Sequence, residues 1–412
     1  MPEKADLSPG CRHLANPRAF EDFLSGGGAL SGRGEVAEEH DYDHRARELH
    51  FEEHLRSLVL LHVSEYESGR DLTWAAEEDL LFAATGADFD ISASGYGDAM
   101  AGRPIEPYWH MLGEVMDAVS AVEPERLRGV DSQTWEQITS LFGEIDIFDA
   151  TRMELPPSLA EWAETSEEQS ALKLQLKLDG ITGSRFREAL IEKPSGNDNA
   201  HFEELLGLEG EEGEEGESDQ LFLFDCGYFN LDRYHEITHA GNHFVTKLHS
   251  NIKPETVAER PPSSGKGESG GYEVLSDRYV LLNGEDQNWY RVLEVRVSTG
   301  DELTILTNLL WVEADKVCLL YRYRWSIEVV FRWLKDLLEL DHFISRDPTG
   351  IIRQIVSALI VWGLLVLSNQ GDKDFSPKQL WREVQAAMHA AIFEFGRRCR
   401  EANVSPENLP TA

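Results

Sequence analysis

The sequence predicts an α/β protein with an all-helical N-terminal domain, a β-rich insertion and a helical C-terminal tail. Three observations predict this class. Apolar residues recur at helical spacing up to about residue 122, and the short apolar runs that follow have the length and alternation of strands. A helical pattern without Pro or Gly then returns between Trp311 and Leu340. Because two predicted strands flank a predicted helix in the middle part, we expect α/β units there.

The chain of 412 residues is long enough for two or three domains, and it is strongly acidic. It has 75 Asp and Glu residues against 38 Lys and Arg, a net charge of -37. Because phosphate contacts come from Lys and Arg, one interpretation is that the chain does not bind nucleic acid. The other is that it works in molar salt, where the Debye length is about 3 Å and self-repulsion is screened. We favour the second, with a salt-loving archaeal source, since a carboxylate-rich, Lys-poor surface is typical of such proteins.

The N-terminal part of the chain divides into two predicted regions. Residues 1–45 are rich in Gly, Ser and acidic residues and show little periodicity, so we predict a poorly ordered leader. Residues 46–123 predict a small all-helical domain. Its helices are expected at about 50–63, 73–84, 91–100 and 107–122.

Two pairs of histidines at i, i+4 spacing lie near the start of this region, His40 with His44 and His50 with His54. Such pairs could bind a metal ion. With no third ligand nearby in the sequence, we interpret them as ordinary surface histidines.

Four cysteines are scattered along the chain without a Cys-x-x-Cys pair, at positions 11, 226, 318 and 399. This pattern argues against a zinc ribbon or a disulfide framework and fits a reducing cytoplasm. The longest apolar run, 355–367, is too short to span a bilayer. We therefore expect a buried helix there and no membrane partner.

The predicted core occupies residues 124–253 and 311–370, interrupted by a β-rich insertion at 254–310 and followed by a helical tail at 371–412. Strands are expected at 144–151, 172–179, 221–225 and 243–248, helices near 159–170, at 231–239 and at 351–367, and a strand or helix at 185–192. Residues 194–219 predict an acidic surface linker.

One helical face near the end of the core carries four polar groups in line. Tyr321, Arg324, Glu328 and Lys335 fall within roughly one sixth of the circumference of a helix that turns about 100° per residue. The simplest interpretation is an Arg–Glu pair on a solvated helix, which stabilises it by roughly a few tenths of a kcal/mol. The complete spacing, Tyr-x2-Arg-x3-Glu-x6-Lys, resembles the signature of insertion-sequence transposases of the Asp-Asp-Glu type.

That resemblance implies a ribonuclease-H-like catalytic core interrupted by an all-β insertion, and two catalytic aspartates at strand ends upstream of Glu328. Asp149, in an Asp-x-Thr motif, and Asp225, in Asp-x-Gly-Tyr-Phe, are similar to the family's motifs. Asp146 is the rival for the first position. We prefer Asp149 because Thr151 follows it, and a Leu-Pro pair comes soon after.

Three carboxylates brought together suit Mg²⁺ or Mn²⁺, which prefer oxygen ligands. Two ions about 4 Å apart can activate a water or a 3′-hydroxyl and stabilise the leaving oxygen of a displacement at phosphorus. Asp149, Asp225 and Glu328 are the expected ligands of two such ions. The activity implied is DNA transposition, in which the chain cleaves the ends of its own element and joins them to target DNA.

Further residues are expected to contact the DNA. Tyr321, Arg324 and Lys335 are placed to hold its backbone near the scissile bond, as they do in the family. Trp289, in the insertion, could stack on an extruded base, although a buried core Trp is the favoured interpretation. The helical region resembles the part of the family that binds the element's end, through Arg-Asp-Leu, Ile-Ser and Arg-Pro motifs, the last containing Arg103. Plain helical packing explains that region about as well. Pairing two ends would require a homodimer on the DNA.

Other functions remain as alternatives. His235-Glu-Ile-Thr-His239 fits the zinc-peptidase pattern His-Glu-x-x-His, with Glu236 as base. Its predicted helix stops two residues after the second His, and no third ligand is recognisable, so we do not favour it. A non-enzymatic acidic interaction module and a decayed, inactive transposase are the remaining interpretations.

Overall fold

The computed structural model describes residues 17–44, 46–64, 66–121, 132–155, 163–166, 169–193, 205–206, 219–228, 230–260, 272–282, 288–336, 342–369 and 377–402. Its helices are α1 (Pro17–Ser25), α2 (Arg33–Glu39), α3 (Phe51–Val63), α4 (Gly69–Glu78), α5 (Leu80–Thr85), α6 (Ala93–Gly102), α7 (Glu106–Ser120), α8 (Ser132–Thr139), α9 (Leu231–His239), α10 (Ala314–Tyr323), α11 (Trp325–Asp336), α12 (Pro348–Ser368) and α13 (Pro377–Ala402). Its strands are β1 (Glu144–Leu155), β2 (Glu164–Ser166), β3 (Gln169–Asp179), β4 (Phe186–Glu192), β5 (Gln220–Phe224), β6 (His243–Lys247), β7 (Glu255–Glu259), β8 (Tyr272–Leu281), β9 (Trp289–Val297) and β10 (Glu302–Thr307). The predicted mixed α/β class is confirmed.

The chain forms two compact units. The first comprises Met1–Glu123, Met153–Ser170 and Arg332–Ala412, and the second comprises Pro124–Arg152 and Ala171–Phe331. Most of the helices lie in the first unit, and most of the sheet lies in the second.

The first unit is built around α12, which packs against α3, α6 and α7. By length and composition, α12 could cross a membrane. The helix is longer than the apolar run at 355–367 from which it was predicted. Within the protein 89% of its apolar window is buried, a pattern that the core helix of a globular protein also gives. Arg353 is fully buried in it and donates to the carbonyls of Arg103 (2.7 Å) and Pro104 (3.1 Å), which satisfies the guanidinium inside the unit.

The predicted leader is wrong for residues 17–44, which form α1, a short 3-10 turn and α2. Phe20, Phe23 and Leu24 recur at helical spacing and are buried, and α1 packs against α13. The Gly- and acid-rich composition concealed this short apolar stripe. Residues 1–16 lie outside the described part of the chain.

The histidines near the start of the chain are also not all on the surface. His54 is fully buried, and its Nδ1 lies 2.7 Å from the hydroxyl of Tyr42. Burial lowers the pKa of His54 well below its ordinary value, and the nearby Arg353 and Arg103 cations lower it further, so a neutral ring is held inside the unit. The surface interpretation is therefore wrong for this histidine.

Ten strands of the described residues form one sheet in the order β2-β3-β1-β5-β6-β10-β9-β8-β7, with β4 paired to β3. β1, β5 and β6 are parallel, whereas β6, β10, β9, β8 and β7 are paired antiparallel in that order. The strands of the predicted insertion therefore belong to the same sheet as the core strands, because β10 pairs directly with β6.

Two predicted helices outside residues 311–340 differ in the structure. The helix expected near residues 159–170 is replaced, where the structure describes it, by β2 and the start of β3, since Glu164 pairs with Ser170 in an antiparallel ladder. The helix expected at 73–84 is divided into α4 and α5 at Asp79, whose carboxylate accepts from the N–H of Leu81 and begins the second helix.

Three further features were missed or only partly seen. α8 was not predicted, although Trp135 on it packs against Tyr323 with ring centroids 4.2 Å apart. In the stretch 185–192, which was left open between strand and helix, Phe186–Glu192 form β4. The predicted linker at 194–219 lies mostly outside the described residues, but Leu205 and Leu206 within it are buried.

Candidate active site

The first two candidate carboxylates are aligned by the pairing of β1 with β5. These strands run parallel in the register Glu144↔Gln220 to Ile147↔Leu223. Continuing this register by two residues sets Asp149 opposite Asp225 on adjacent strands, and side chains at matching positions of parallel neighbours point to the same face. Asp149 lies inside β1 rather than at its end, but beyond the last residue paired with β5, whereas Asp225 directly follows its strand.

The two aspartates share the same local geometry. Asp149 Oδ1 accepts from the N–H of Ala150 at 2.8 Å, and Asp225 Oδ1 accepts from the N–H of Cys226 at 2.7 Å. Each carboxylate is therefore fixed through its Oδ1 by the amide of the residue that follows it.

The predicted single helix between Trp311 and Leu340 is two helices, and the break is at Arg324. α10 ends at Tyr323 and α11 begins at Trp325, although no Pro or Gly marks the position. The break places Glu328 in the first turn of a new helix, where the helix dipole favours a carboxylate. The predicted apolar stripe of α11 is buried at Ile327, Val330 and Leu334, while its continuation at 337–338 lies outside the described residues.

Arg324 joins the carboxylates. Its Nη2 lies 2.8 Å from Glu328 Oε1, and its Nη1 lies 3.7 Å from Asp149 Oδ2. The guanidinium carbon lies 5.6 Å from the ring centroid of Tyr321, and both residues are only 4% exposed. The carboxylates of Asp149, Asp225 and Glu328 all act electrostatically on this one cation. The structure therefore places Asp149 and Glu328 in ion pairs with Arg324, and Asp225 within electrostatic reach of the same cation.

The pKa values reflect burial first and neighbouring charge second. The pKa of Asp149 is raised to about 6, mainly by burial; the Ala150 N–H and Arg324 oppose the rise, and the Glu328 and Asp225 carboxylates add to it. Burial alone would lower the pKa of Arg324, but Tyr321 and the three carboxylates raise it above its ordinary value. Burial also raises the pKa of Tyr321 to about 12, so its hydroxyl stays protonated near neutrality. Three carboxylates facing a single guanidinium leave the cluster with excess negative charge.

Asp146, the rival for the first position, points to the opposite face of β1. It is fully buried, with Oδ1 3.0 Å from Arg187 Nε and Oδ2 3.5 Å from Lys177 Nζ. Its Oδ2 also accepts from Gln220 Nε2 at 2.6 Å. Two cations and an amide compensate this carboxylate, so it has a structural environment, and the geometry favours Asp149.

A second buried ion pair lies in the sheet and was not recognised from the sequence. Arg291 on β9 is fully buried and donates to both oxygens of Asp277 on β8, at 2.8 and 2.7 Å. The same guanidinium donates to the carbonyls of Leu309 (3.3 Å) and Val312. It thereby anchors the loop that leads into α10, the helix bearing Tyr321. The pairing depends on the β8–β9 register, which no local pattern reveals.

The remaining predicted DNA-contact residues have different surroundings. Lys335 is half-buried on α11, seven residues after Glu328. Trp289 is 49% exposed at the first residue of β9, so the favoured interpretation of a buried core Trp is wrong. Arg103 donates to the carbonyl of Leu49 at 2.6 Å and lies 5.3 Å from the ring centroid of Tyr42, which is a packing role inside its own unit.

The zinc-peptidase pattern lies on α9, as predicted. His235 Nδ1 is 2.6 Å from the hydroxyl of Tyr290, and His239 Nε2 is 3.4 Å from Asn288 Nδ2. Among the described residues, the one group of three His, Cys, Asp or Glu with ligand atoms within 4.8 Å of one another includes neither of these histidines nor the three candidate carboxylates. The geometry does not favour a peptidase.

Comparisons with known proteins give a consistent family. The model of the family described as Transposase DDE domain matches residues 141–364, more than half of the chain and all three candidate carboxylates. A putative transposase, y4zB, of Sinorhizobium fredii is 31% identical over 152 residues, which cover 36% of this chain and 42% of that protein. The probable transposase for insertion sequence element IS5377 of Geobacillus stearothermophilus is 24% identical over 197 residues, 44% of this chain and 51% of that one. The chain thus spans about half the length of these curated relatives.

Among solved structures, the cryo-EM structure of the piggyBac transposase synaptic complex with hairpin DNA is similar with a TM-score of 0.43 and 11% sequence identity. The similarity covers 98% of this chain and 88% of that chain. A likeness this distant carries no argument about the site.

Proposed function

The chain belongs to the transposase DDE domain family, and from that premise we propose that it is a DNA transposase. It cleaves DNA at the ends of its own insertion element and joins those ends to a target by metal-dependent phosphoryl transfer. The single observation that carries this proposal is the grouping of Asp149, Asp225 and Glu328 around Arg324, inside the stretch that the family model matches.

The donor set of this cluster fits hard divalent cations. All candidate ligand atoms are carboxylate oxygens, which Mg²⁺ and Mn²⁺ prefer. The excess negative charge and the raised pKa of Asp149 both indicate a site that is stabilised by added positive charge. We assign Asp149, Asp225 and Glu328 as ligands of two ions, which when bound would activate a water or 3′-hydroxyl and stabilise the leaving oxygen.

The other residues of the signature contact the DNA or orient the carboxylates. Arg324 orients Asp149 and Glu328 through its two terminal nitrogens, and its charge attracts the phosphate backbone beside them. Tyr321 is buried, so its ring supports the guanidinium rather than reaching far into the DNA. Lys335 supplies a second cation on the helix that bears Glu328. Trp289 is exposed enough to stack on an extruded base.

The same proposal assigns a role to each of the larger parts of the chain. In this proposal strands β4-β3-β1-β5-β6 form the ribonuclease-H-like core, with Asp149 on one parallel strand and Asp225 directly after the next, and β7 to β10 form the insertion. Residues 46–123 help bind the element's end, and two copies pair two ends as a homodimer on the DNA. Arg103 is not part of this surface, because its guanidinium is engaged within its own unit.

In this proposal the acidic composition is an adaptation to molar salt in the cytoplasm of a haloarchaeon-like source. A net charge of -37 would repel DNA in dilute buffer, but at a Debye length of about 3 Å only groups in near contact interact. DNA recognition then depends on the few cations that reach the backbone at close range.

The test is cleavage of a labelled duplex carrying the inverted repeats that flank the gene, in molar KCl with Mg²⁺. Wild type, Glu328→Gln and the matched control Glu236→Gln are compared, and a chelator is added in a parallel reaction. The proposal expects nicking at the repeat boundary by wild type and Glu236→Gln, and none by Glu328→Gln or with chelator.

Other outcomes identify the alternatives. Cleavage that survives Glu328→Gln would refute the site assignment and point to a contaminating nuclease. An inactive wild type would favour a decayed copy. Zinc-dependent proteolysis abolished by Glu236→Gln would favour the peptidase.

A further inference from the structure

A cluster of metal-binding side chains lies in the helical unit, at the end of α2 and on α7. Glu39 is the last residue of α2, His40 follows it, and His110 lies on α7. One ligand atom from each of these three residues lies within 4.8 Å of the others. His40 Nε2 and His110 Nδ1 are 3.4 Å apart, and Glu39 Oε2 is 3.8 Å from His110 Nδ1.

The distance between the two imidazole nitrogens fits a shared metal ion. With metal–nitrogen bonds of about 2.0–2.1 Å and tetrahedral angles, two ligand nitrogens lie about 3.4 Å apart. The same distance would also allow a hydrogen bond between one protonated and one unprotonated nitrogen. The two rings are nearly perpendicular, with an interplanar angle of 86°, so the pair is not a ring stack.

The opposite nitrogen of His110 supplies an independent indication. His110 Nε2 lies 3.8 Å from Oε1 of Glu114, one turn further along α7. Histidines that bind a metal through one nitrogen usually present the other N–H to a carboxylate, which fixes the tautomer and increases the basicity of the ligand. At 3.8 Å the contact is longer than a hydrogen bond, and Glu114 is near enough on the same helix to take that role.

The sequence alone pairs these histidines wrongly. His40 has His44 four residues later, but His44 Nδ1 instead lies 3.5 Å from Asp41 Oδ1. The partner of His40 is seventy residues away in the chain and is brought near by the packing of α2 against α7.

We propose that His40, His110 and Glu39 form a binding site for a borderline transition-metal dication of the Zn²⁺ class, with Glu114 as the positioning residue for His110. Two imidazoles and one carboxylate are a zinc-type donor set, and they leave a fourth position for water. The metal cross-links the end of α2 to α7, and so holds the N-terminal helices on the rest of the helical unit. This site is separate in sequence and in chemistry from the three carboxylates, whose all-oxygen donors favour Mg²⁺ or Mn²⁺.

The experiment measures Zn²⁺ binding to the full chain by calorimetry in molar KCl, with excess Mg²⁺ present to occupy hard-ion sites. The variants are His40→Ala, His110→Ala, Glu39→Gln and Glu114→Gln, with His44→Ala as the matched control. Thermal melting with and without Zn²⁺ is a second readout, and circular dichroism without metal checks that each variant is folded. Co²⁺ is then substituted, since a tetrahedral site with nitrogen ligands gives strong visible absorption.

We expect one Zn²⁺ per chain in wild type and His44→Ala, with a rise in Tm and strong Co²⁺ absorption. Binding and the rise in Tm should disappear in His40→Ala and His110→Ala, and affinity should fall roughly 10- to 100-fold in Glu114→Gln. If a histidine variant does not fold, Glu39→Gln tests the proposal instead. This substitution changes an exposed side chain, and it should weaken Zn²⁺ binding. Equal Zn²⁺ affinity in wild type and His110→Ala, or no binding by folded wild type, would overturn the proposal.

Discussion

Asp146 and Asp149 lie three residues apart on β1, and the contrast between them distinguishes a structural carboxylate from a functional one. Burial raises the pKa of both, so burial does not separate them. Their partners do. Asp146 is held by Lys177 and Arg187, whereas Asp149 shares one Arg324 with two other carboxylates. A buried carboxylate that contacts two cations directly has a structural environment, while one that shares a single cation with two other carboxylates favours a further cation.

The largest expected effect is a loss of DNA cleavage when Asp149, which shares one cation with two other carboxylates, is neutralised. Asp149→Asn should reduce metal-dependent DNA cleavage by about three orders of magnitude, equivalent to about 4 kcal/mol in the activation barrier, because it removes a charged metal ligand. The protein should remain folded, since the substitution relieves repulsion with Asp225 and Glu328. The measurement is the single-turnover cleavage rate beside a thermal melt. A rate within a few fold of wild type would show that Asp149 is not a ligand.

The compensated carboxylate should give the opposite result. Asp146→Asn should lower the free energy of unfolding by about 3 kcal/mol, because it leaves the buried Lys177 and the half-buried Arg187 without the carboxylate that they share. Both cations retain other acidic neighbours, so the low end of the expected range applies. Denaturant unfolding measures the loss, and the cleavage rate per folded molecule should be unchanged. A stable but inactive Asp146→Asn would reverse the roles of the two aspartates.

The pH dependence of stability should sharpen the contrast. In the folded protein the pKa of Asp149 is raised from 3.8 to about 6, so the folded state holds this proton more tightly than the unfolded chain. The contribution is fully present below the ordinary pKa of 3.8 and is lost as pH rises to about 6, by on the order of 3 kcal/mol without metal. Melting in chelator at several pH values should therefore show the gap between wild type and Asp149→Asn change in this window. A gap that does not vary with pH would contradict the raised pKa.

The smallest expected effect concerns the cation of the cluster. Arg324→Lys keeps the charge but loses the planar fork that reaches Asp149 and Glu328 together. Cleavage should fall about 10-fold with little change in stability, as for loss of a residue that orients metal-binding carboxylates. Arg322→Lys, two residues earlier on α10, is the matched control and should cleave at the wild-type rate. Equal effects of the two substitutions would remove the positioning role of Arg324.

Much of the site could be predicted because it depends on local patterns. The strand before Asp225, the helical spacing of Arg324 and Glu328, and α9 were all readable from periodicity and turn residues. What could not be predicted depends on distant pairing. The break at Arg324 follows no helix-breaking residue, and the Arg291–Asp277 pair depends on the β8–β9 register. From the sequence, Asp149 was chosen over Asp146 only by family resemblance. The structure adds a physical reason, because the two side chains lie on opposite faces of β1.

The fold shows the same division. The helices of residues 46–123, apart from the division at Asp79, and the strands that pair in parallel were predicted, because their apolar stripes are long. The helices at 17–39 were missed, because a stripe of only a few residues around Phe20 is hidden in a Gly-rich composition. The continuity of β10 with β6 joins residues far apart in sequence, so the β-rich stretch was predicted as a separate insertion.

The most direct test of the central claim is to count Mn²⁺ ions bound to metal-free protein by electron paramagnetic resonance in molar KCl. High salt screens the acidic surface, so that only specific sites are counted. Wild type and a folded Asp146→Asn should each bind two ions, and Asp149→Asn should lose at least one. If Asp149→Asn binds as many ions as wild type with the same affinity, the three carboxylates are not the metal site.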